Sequence, residues 1–419
     1  MNLSWNTKKI KELYDYSSGL SKSADQFGFG YPFLSYKDVF HNAYLPETLS
    51  TLVNSTEIEQ EKCSIKRGDV FLTRTSETTD ELGMSSVALV DYPYATYNGF
   101  TKRLRPTTNE IHPEFAAYFY RSPYFRAQII SMASLITRAS LNESNLDRLK
   151  ITYPNKETQI VIGNILQSYD LIINSNVKKI RLLEKMASEL YKEWFVRFRF
   201  PGHETAKFVN GLPEGWEYMP LKNIMTFSRG ISYSTEELSE SDGYNLINLK
   251  NISAYGGFNY DGTKKFTGKY KESQIVQQGD LVIGITDMTQ DRRTVGSVAL
   301  IPDLDGISVI SADLLKVNSM IDNIFIYCLC KFGSYSKYFS MFANGANVLH
   351  LRPDMLYSRK ILIPNIDIIN EFVMHISPIF EEMTLCHKKN ELLSKQRDLL
   401  LPRLMSGKLS VEPLLGQTA

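Results

Sequence analysis

The chain is poor in cysteine, in histidine and in net charge, and each shortage narrows what it can be. Four cysteines in 419 residues, Cys63, Cys328, Cys330 and Cys386, cannot form a disulfide framework for a chain of this length. Cys328 and Cys330 fall in the apolar run 324–330, which reads as buried thiols in a helix; no histidine lies close enough in sequence to complete a Cys/His metal cluster. The six histidines are scattered with no base partner. With a net charge of +1, any nucleic-acid face must be a local concentration of Lys and Arg. There is no signal peptide pattern and no apolar stretch long enough to span a bilayer, so a cytoplasmic location with no membrane is expected. Catalytic signatures are missing as well. The Asn/Asp-Pro-Pro-Tyr/Phe motif of amino-methyltransferases does not occur, and Asp91-Tyr92-Pro93-Tyr94 has Tyr where the first Pro belongs. Gly268-Lys269-Tyr270 and Gly407-Lys408-Leu409 lack the Ser/Thr and upstream Gly of a phosphate loop. No Pro-Asp is followed by the Asp/Glu-x-Lys of a metal-dependent nuclease. These gaps favour a binding protein over an enzyme, with no catalytic residues and no metal site.

What is present is a duplication. Ile65-Lys66-Arg67-Gly68-Asp69 is matched by Val276-Gln277-Gln278-Gly279-Asp280, and Ser86-Val87-Ala88-Leu89 by Ser297-Val298-Ala299-Leu300. Lys150-Ile151 with Pro154 is matched by Lys360-Ile361 with Pro364. All three pairs lie about 210 residues apart, a period too long for a solenoid unit and equal to a domain plus a connector. The composition, 43% apolar and 22% charged, supports two or three domains with cores of their own. Within each copy a Gly-punctuated half precedes a helical half. Strand-like runs at 69–73 and 86–90 recur at 280–285 and 297–301, and single helical stretches are expected near 113–131 and 322–342.

The helical halves are the most legible segments. After Asn155, a capping residue, apolar positions alternate spacings of four and three through Ile162, Leu166, Tyr169, Ile173, Asn176, Ile180, Leu183, Ala187, Leu190 and Trp194. About 210 residues on, the seam returns as Phe372, Ile376, Ile379, Met383, Cys386, Asn390, Leu393, Arg397, Leu400 and Leu404, with Asn365 as the cap. Two such helices in one chain are expected to pair antiparallel, with Asn176 and Asn390 as polar seam positions that fix register. Pro402 is expected to kink or end the second helix, and Gly407 to stop it. The expected fold is α/β (α+β): two similar globular domains, 1–153 and 201–364, joined by long antiparallel coiled-coil helices, 154–200 and 365–407, with a tail at 408–419.

In this arrangement the chain resembles the specificity subunits of type I restriction–modification systems. The resemblance covers nearly the whole chain. It rests on the duplication, the Gly-Asp plus apolar run of each half, the stretch Gly211-Leu212-Pro213-Glu214-Gly215-Trp216-Glu217, and the closing Leu399–Leu404 with Met405-Ser406-Gly407-Lys408-Leu409. One departure is at the start, where Met1-Asn2-Leu3-Ser4-Trp5 stands in place of Leu-Pro-Glu-Gly-Trp. The resemblance implies two target recognition domains, each reading half of a split double-stranded DNA target. It also implies docking of two modification subunits and of restriction subunits. No cofactor is then expected on this chain, since S-adenosylmethionine, ATP and Mg belong to the partners. The alternative reading is a stand-alone bipartite DNA-binding protein. Helices of roughly 40 residues make rods about 60 Å long at ~1.5 Å per residue, on the scale of one or two DNA turns.

DNA contacts are expected where the two copies differ. Arg74-Thr75-Ser76-Glu77-Thr78-Thr79 and Asp287-Met288-Thr289-Gln290-Asp291-Arg292-Arg293 are different polar loops on one frame, which implies an asymmetric target. Arg reads guanine and Asn or Gln reads adenine in the major groove, which singles out Arg74, Gln290, Arg292 and Arg293, with Thr75 and Ser76 beside them. A second matched place, Thr137–Asn142 against Asn347–Arg352, offers Arg138, Asn142, His350 and Arg352. Lys102 and Arg103 (with Arg105), and Lys264 with Lys265, are basic clusters suited to phosphate. For all of these the competing reading is ordinary surface charge.

Overall fold

Each half of the duplication folds around the same four-stranded antiparallel sheet. In the first half the order is Tyr14–Ser18, Thr101–Pro106, Val70–Thr73, Ser85–Val87; in the second it is Met225–Arg229, Leu314–Ser319, Leu281–Gly284, Val298–Leu300. The computed structural model describes residues 5–76, 81–132, 139–289 and 291–415. It divides into two compact units, Met1–Ser175 with Lys389–Ala419, and Asn176–Lys388. A further sheet completes each domain: three strands, Thr51–Val53, Phe27–Leu34 and Thr96–Tyr97, in the first, and five strands running from Leu238–Ser239 to Ile275–Val276 in the second.

The repeated Gly-Asp pairs make the same turn in both sheets. Gly68 (φ +89°) and Gly279 (φ +84°) take the left-handed conformation that a side chain resists. The following carboxylates close the turn, Asp69 accepting from Lys66 N and Asp280 from Gln277 N, each at 2.8 Å. Each carboxylate then holds a cation on the neighbouring central strand. Asp69, fully buried, accepts from Arg105 Nη2 and Nε at 2.6 and 2.8 Å, and Asp280 accepts from Lys316 Nζ at 2.7 Å.

The opening strands settle the departure at the chain's start. Asn6–Lys9 pairs with Lys150–Tyr153, and Glu217–Pro220 with Lys360–Ile363, in the same antiparallel register. Trp5 therefore stands where Trp216 stands, directly before its strand. Trp216 packs on Phe195, Phe198 and Phe200 behind the first long helix. Trp5 is approached by Gly407 behind the second, where a Cβ would lie 2.8 Å from the indole nitrogen. The helical stretches near 113–131 and 322–342 are each two helices rather than one. Pro123, with no N–H to give, begins the second of the first pair (Pro113–Phe119, Pro123–Met132). Gly333 and the left-handed Ser334 (φ +65°) separate Asn323–Phe332 from Tyr335–Ser340.

The long helices span Lys156–Phe195 and Ile366–Met405, 40 residues each. Asn155 and Asn365 cap them, accepting from Thr158 N at 2.9 Å and Asp367 N at 3.0 Å. Every seam residue named above is buried or half-buried. Within each unit the two helices run antiparallel: Asn390 Nδ2 donates to Ile173 O at 3.3 Å and Arg397 pairs with Asp170 in the first, while Lys179 pairs with Glu382 and Tyr191 meets Phe372 in the second. Pro402 does not end its helix, which continues to Met405. It lies one turn from the end, where burial of Leu404 and Met405 in the first domain's core holds the remaining residues helical. Cys328 and Cys330 are buried, and burial pushes both thiols up, Cys330 to about 12. Among the described residues, no His, Cys, Asp and Glu cluster has the makings of a metal site, and no helix is long and apolar enough to cross a membrane.

The two turn carboxylates differ in burial, and that difference is measurable. Asp69→Ala strands Arg105 and is expected to cost about 3 kcal/mol. Asp280→Ala, at a more open pair, is expected to cost about 1 kcal/mol. Urea unfolding of the two variants checks this; equal losses would show that the pairs do not carry the turns.

Candidate nucleic-acid interface

Both domains continue the same inner strand of the central sheet into a two-stranded ribbon. In the first, Thr75–Ser76 pairs with Ala139–Ser140; in the second, Thr286–Asp287 pairs with Leu349–His350. The backbone leading into each is held identically. Arg74 N donates to Phe100 O and Arg74 O accepts from Leu141 N; Ile285 N donates to Asp313 O and Ile285 O accepts from Leu351 N. Arg74 is thus the counterpart of Ile285, and Ser76 of Asp287, a shift of two residues from the match that the loop sequences suggested. Where the first domain exposes an arginine, the second buries an isoleucine.

The loop after the second ribbon is organised by Asp287, which is 3% exposed. Its carboxylate accepts from the backbone and hydroxyl of Thr289 and of Thr294, all at 2.8 Å. Burial pushes this carboxyl up, but the Thr294 and Thr289 donors outweigh it and hold it at about 2. Arg292 takes a left-handed backbone (φ +55°) and donates to the carbonyls of Ser340 and Met341 at 3.1 and 3.2 Å, at the C-terminal end of a helix. Its guanidinium is engaged within the fold, whereas Arg293 is 60% exposed with Asp291 as a surface partner at 2.8 Å. In the first domain Ser76 Oγ donates to Glu81 at 3.0 Å, and Asn142 caps the short helix Glu143–Leu146.

The ribbons gather much of the expected site: Arg74, Thr75, Ser76 and Asn142 around one, Arg292, Arg293, His350 and Arg352 around the other. Arg352 is 70% exposed beside Asp354, and His350 is exposed on its strand. Arg138 and Gln290 lie outside the described residues. Lys102 and Arg103 are each 7% exposed: Lys102 pairs with Glu143 at 2.9 Å, and Arg103 donates to Ser64 O at 2.6 Å. Arg105 is committed to Asp69. The charges of all three are taken up by partners within the domain, which leaves them unsuited to the phosphate contact expected of them. Lys265 donates to Asn245 Oδ1, and Lys264 lies 5.9 Å from the Tyr233 ring. Sequence reasoning passed over two exposed apolar residues at the ribbons, Phe100 (61%) and Met288 (78%). Phe100 follows an Asn98-Gly99 turn, a signal for a presented side chain.

A family model described as the type I restriction modification DNA specificity domain matches residues 2–185 and again 213–395, and the chain belongs to that family. The MjaIX specificity subunit of a type I restriction enzyme from Methanocaldococcus jannaschii is 26% identical over 429 residues, 98% of this chain and 94% of the relative. The HindI specificity subunit from Haemophilus influenzae is 24% identical over 469 residues, 96% of this chain and 99% of the relative. The crystal structure of a type I restriction–modification S subunit from M. genitalium shares the fold, with a TM-score of 0.60, 15% identity and 96% of both chains covered.

Proposed function

We propose that this chain reads an asymmetric, two-part DNA sequence and delivers it to a modification and restriction machinery carried by other chains. The observation that supports this reading most is the paired ribbon: one frame in both domains, with different side chains at its edge. Equal frames present equal faces to a duplex, and unequal edges select unequal bases. Arg74 in the first domain, with Arg293, His350 and Arg352 in the second, are the proposed contacts; Lys264 is the proposed phosphate contact. The duplicated helices, each giving one end to each unit, provide two quasi-equivalent surfaces for two modification subunits, with restriction subunits joining the complex. S-adenosylmethionine, ATP and Mg then reside on those partners. Co-expression followed by native mass spectrometry is expected to show two methyltransferase subunits per chain, and methylome sequencing a split motif that vanishes when this chain is deleted. A pure chain that binds one split sequence tightly and recruits no methyltransferase would favour a stand-alone DNA-binding protein instead.

Base and phosphate contacts separate by their effects. Arg293→Ala is expected to cost about 1–3 kcal/mol and to relax only one half of the motif. Lys264→Ala is expected to weaken binding to all sequences and to lower the salt slope by about one. Binding isotherms over a salt series, with the methylome of each variant, check both; an unchanged motif and rate for Arg293→Ala would remove it from the readout.

We further propose that helix length measures the gap between half-sites. Seven residues inserted between Ile173 and Ile180 keep the seam in phase and add about 10 Å at ~1.5 Å per residue. That length is about three base pairs at ~3.4 Å each. The expected methylome has a longer spacer or lost activity, with the same half-site bases. Full activity at the original spacer would sink the idea.

A further inference from the structure

Each globular domain turns a tyrosine toward the long helices, and the two stand one place apart in the repeat: counted from the caps His112 and Asp322, Tyr118 matches Cys328 and Tyr327 matches Ala117. Tyr118, in the helix Pro113–Phe119, and Tyr327, in Asn323–Phe332, are 4% and 5% exposed. In the first unit Tyr118 Oη donates to Asp170 Oδ2 at 2.7 Å, and Asp170 pairs through its other oxygen with Arg397 of the second long helix. Asp170 is itself 8% exposed. In the second unit the positions matching Asp170 and Arg397 are Phe380 and Ala187. Tyr327 meets the Phe380 ring edge-on at 5.5 Å, and Ala187 is fully buried. The polar link there comes from Lys331, which donates to Tyr327 Oη at 3.1 Å and pairs with Glu184 of the first long helix.

Apolar packing does not fill either junction. A cavity of about 440 Å³ adjoins Tyr118, Asp170 and Arg397, and one of about 690 Å³ adjoins Tyr327, Lys331 and Glu184. A domain resting on a partly open junction is held against tilting by directional bonds, since apolar contacts slide and hydrogen bonds do not. The first tyrosine is also rigidly coupled to its own domain. Arg121, three residues on, donates to the carbonyls of Ser85, Val39, Phe40 and Asn42. Burial and the Asp170 charge push the Tyr118 hydroxyl far up, so it remains a protonated donor.

We infer that Tyr118–Asp170–Arg397 and Tyr327–Lys331–Glu184 are clasps that fix the tilt of each recognition domain on its helices, and thereby restrict the complex to one spacing between half-sites. These are positioning residues, and the inference rests on the reading of the chain as the reader of a two-part target. The test is methylome sequencing with the full chain and its methyltransferase partner, comparing wild type with Tyr118→Phe, Asp170→Asn and Glu184→Gln. The first removes only a hydroxyl, so it decides the matter for the first clasp even where Asp170→Asn fails to fold. The expected result is about tenfold more methylation at sites whose spacer is one base pair longer or shorter, with both half-site sequences unchanged. A merely structural role would lower total methylation without admitting other spacers. Variants that methylate only the wild-type spacer overturn the clasps alone. A wild-type complex that leaves no split motif overturns the reading of function and the clasps with it.

Discussion

Everything in this molecule depends on the need to bury the seams of two long helices. Neither 40-residue helix has an apolar face that its own domain covers in full. Each therefore divides, one end closing the first unit's core and the other end the second's. The first unit takes in Leu404, Met405 and Val411 from the far end of the chain, beside Val161, Ile162 and Leu166. The second takes Tyr191, Trp194 and Phe195 together with Phe372 and Ile376. Hydrophobic burial of this kind is non-directional. Register comes instead from a few polar contacts such as Asn390 with Ile173 O, the use for which a polar seam residue is best suited.

On that scaffold the two domains keep what the backbone requires and vary what it leaves free. The left-handed glycine, the turn carboxylate and the cation on the neighbouring strand recur because a sheet edge that turns there needs all three. The cation comes from a different place in each copy: Lys316 lies opposite Val282 as Arg103 lies opposite Phe71, and it gives Asp280 one bond where Arg105, two residues on from Arg103, gives Asp69 two. At the ribbon the side chains differ: an exposed arginine in one domain, a buried isoleucine in the other. The loops differ in how they are built as well. In the second, Asp287 and Arg292 secure both ends of the loop to the domain, leaving Arg293 exposed between fixed points.

Much of the architecture was legible in the sequence. The duplication announced two similar domains, the alternating spacing located both helices and their buried faces, and Asn155 and Asn365 marked their starts. Two local features are decided by context. Pro402 removes one backbone donor, yet burial around it holds the last turn. Trp5 lacks the residues that precede Trp216, yet takes the same place, because strand register against Lys150–Tyr153 decides it rather than the preceding residues. The candidate interface was legible as a region but not residue by residue. Lys102 and Arg103 look like surface charge, and their strand pairing with Leu72 and Phe71 places them in the sheet, where Glu143 and Ser64 O take up the charge.

By itself the sequence determined that there are two similar domains, two seamed helices and two unlike loops. These are properties of period and repetition, which a linear pattern carries in full. Only the tertiary structure decided which cations are spent within the fold and which remain at the surface. The partner of a charge lies tens or hundreds of residues away, as Arg105 lies from Asp69 and Arg397 from Asp170. Pairings at such distances follow from the packing of strands and helices, and no local pattern of residues records them.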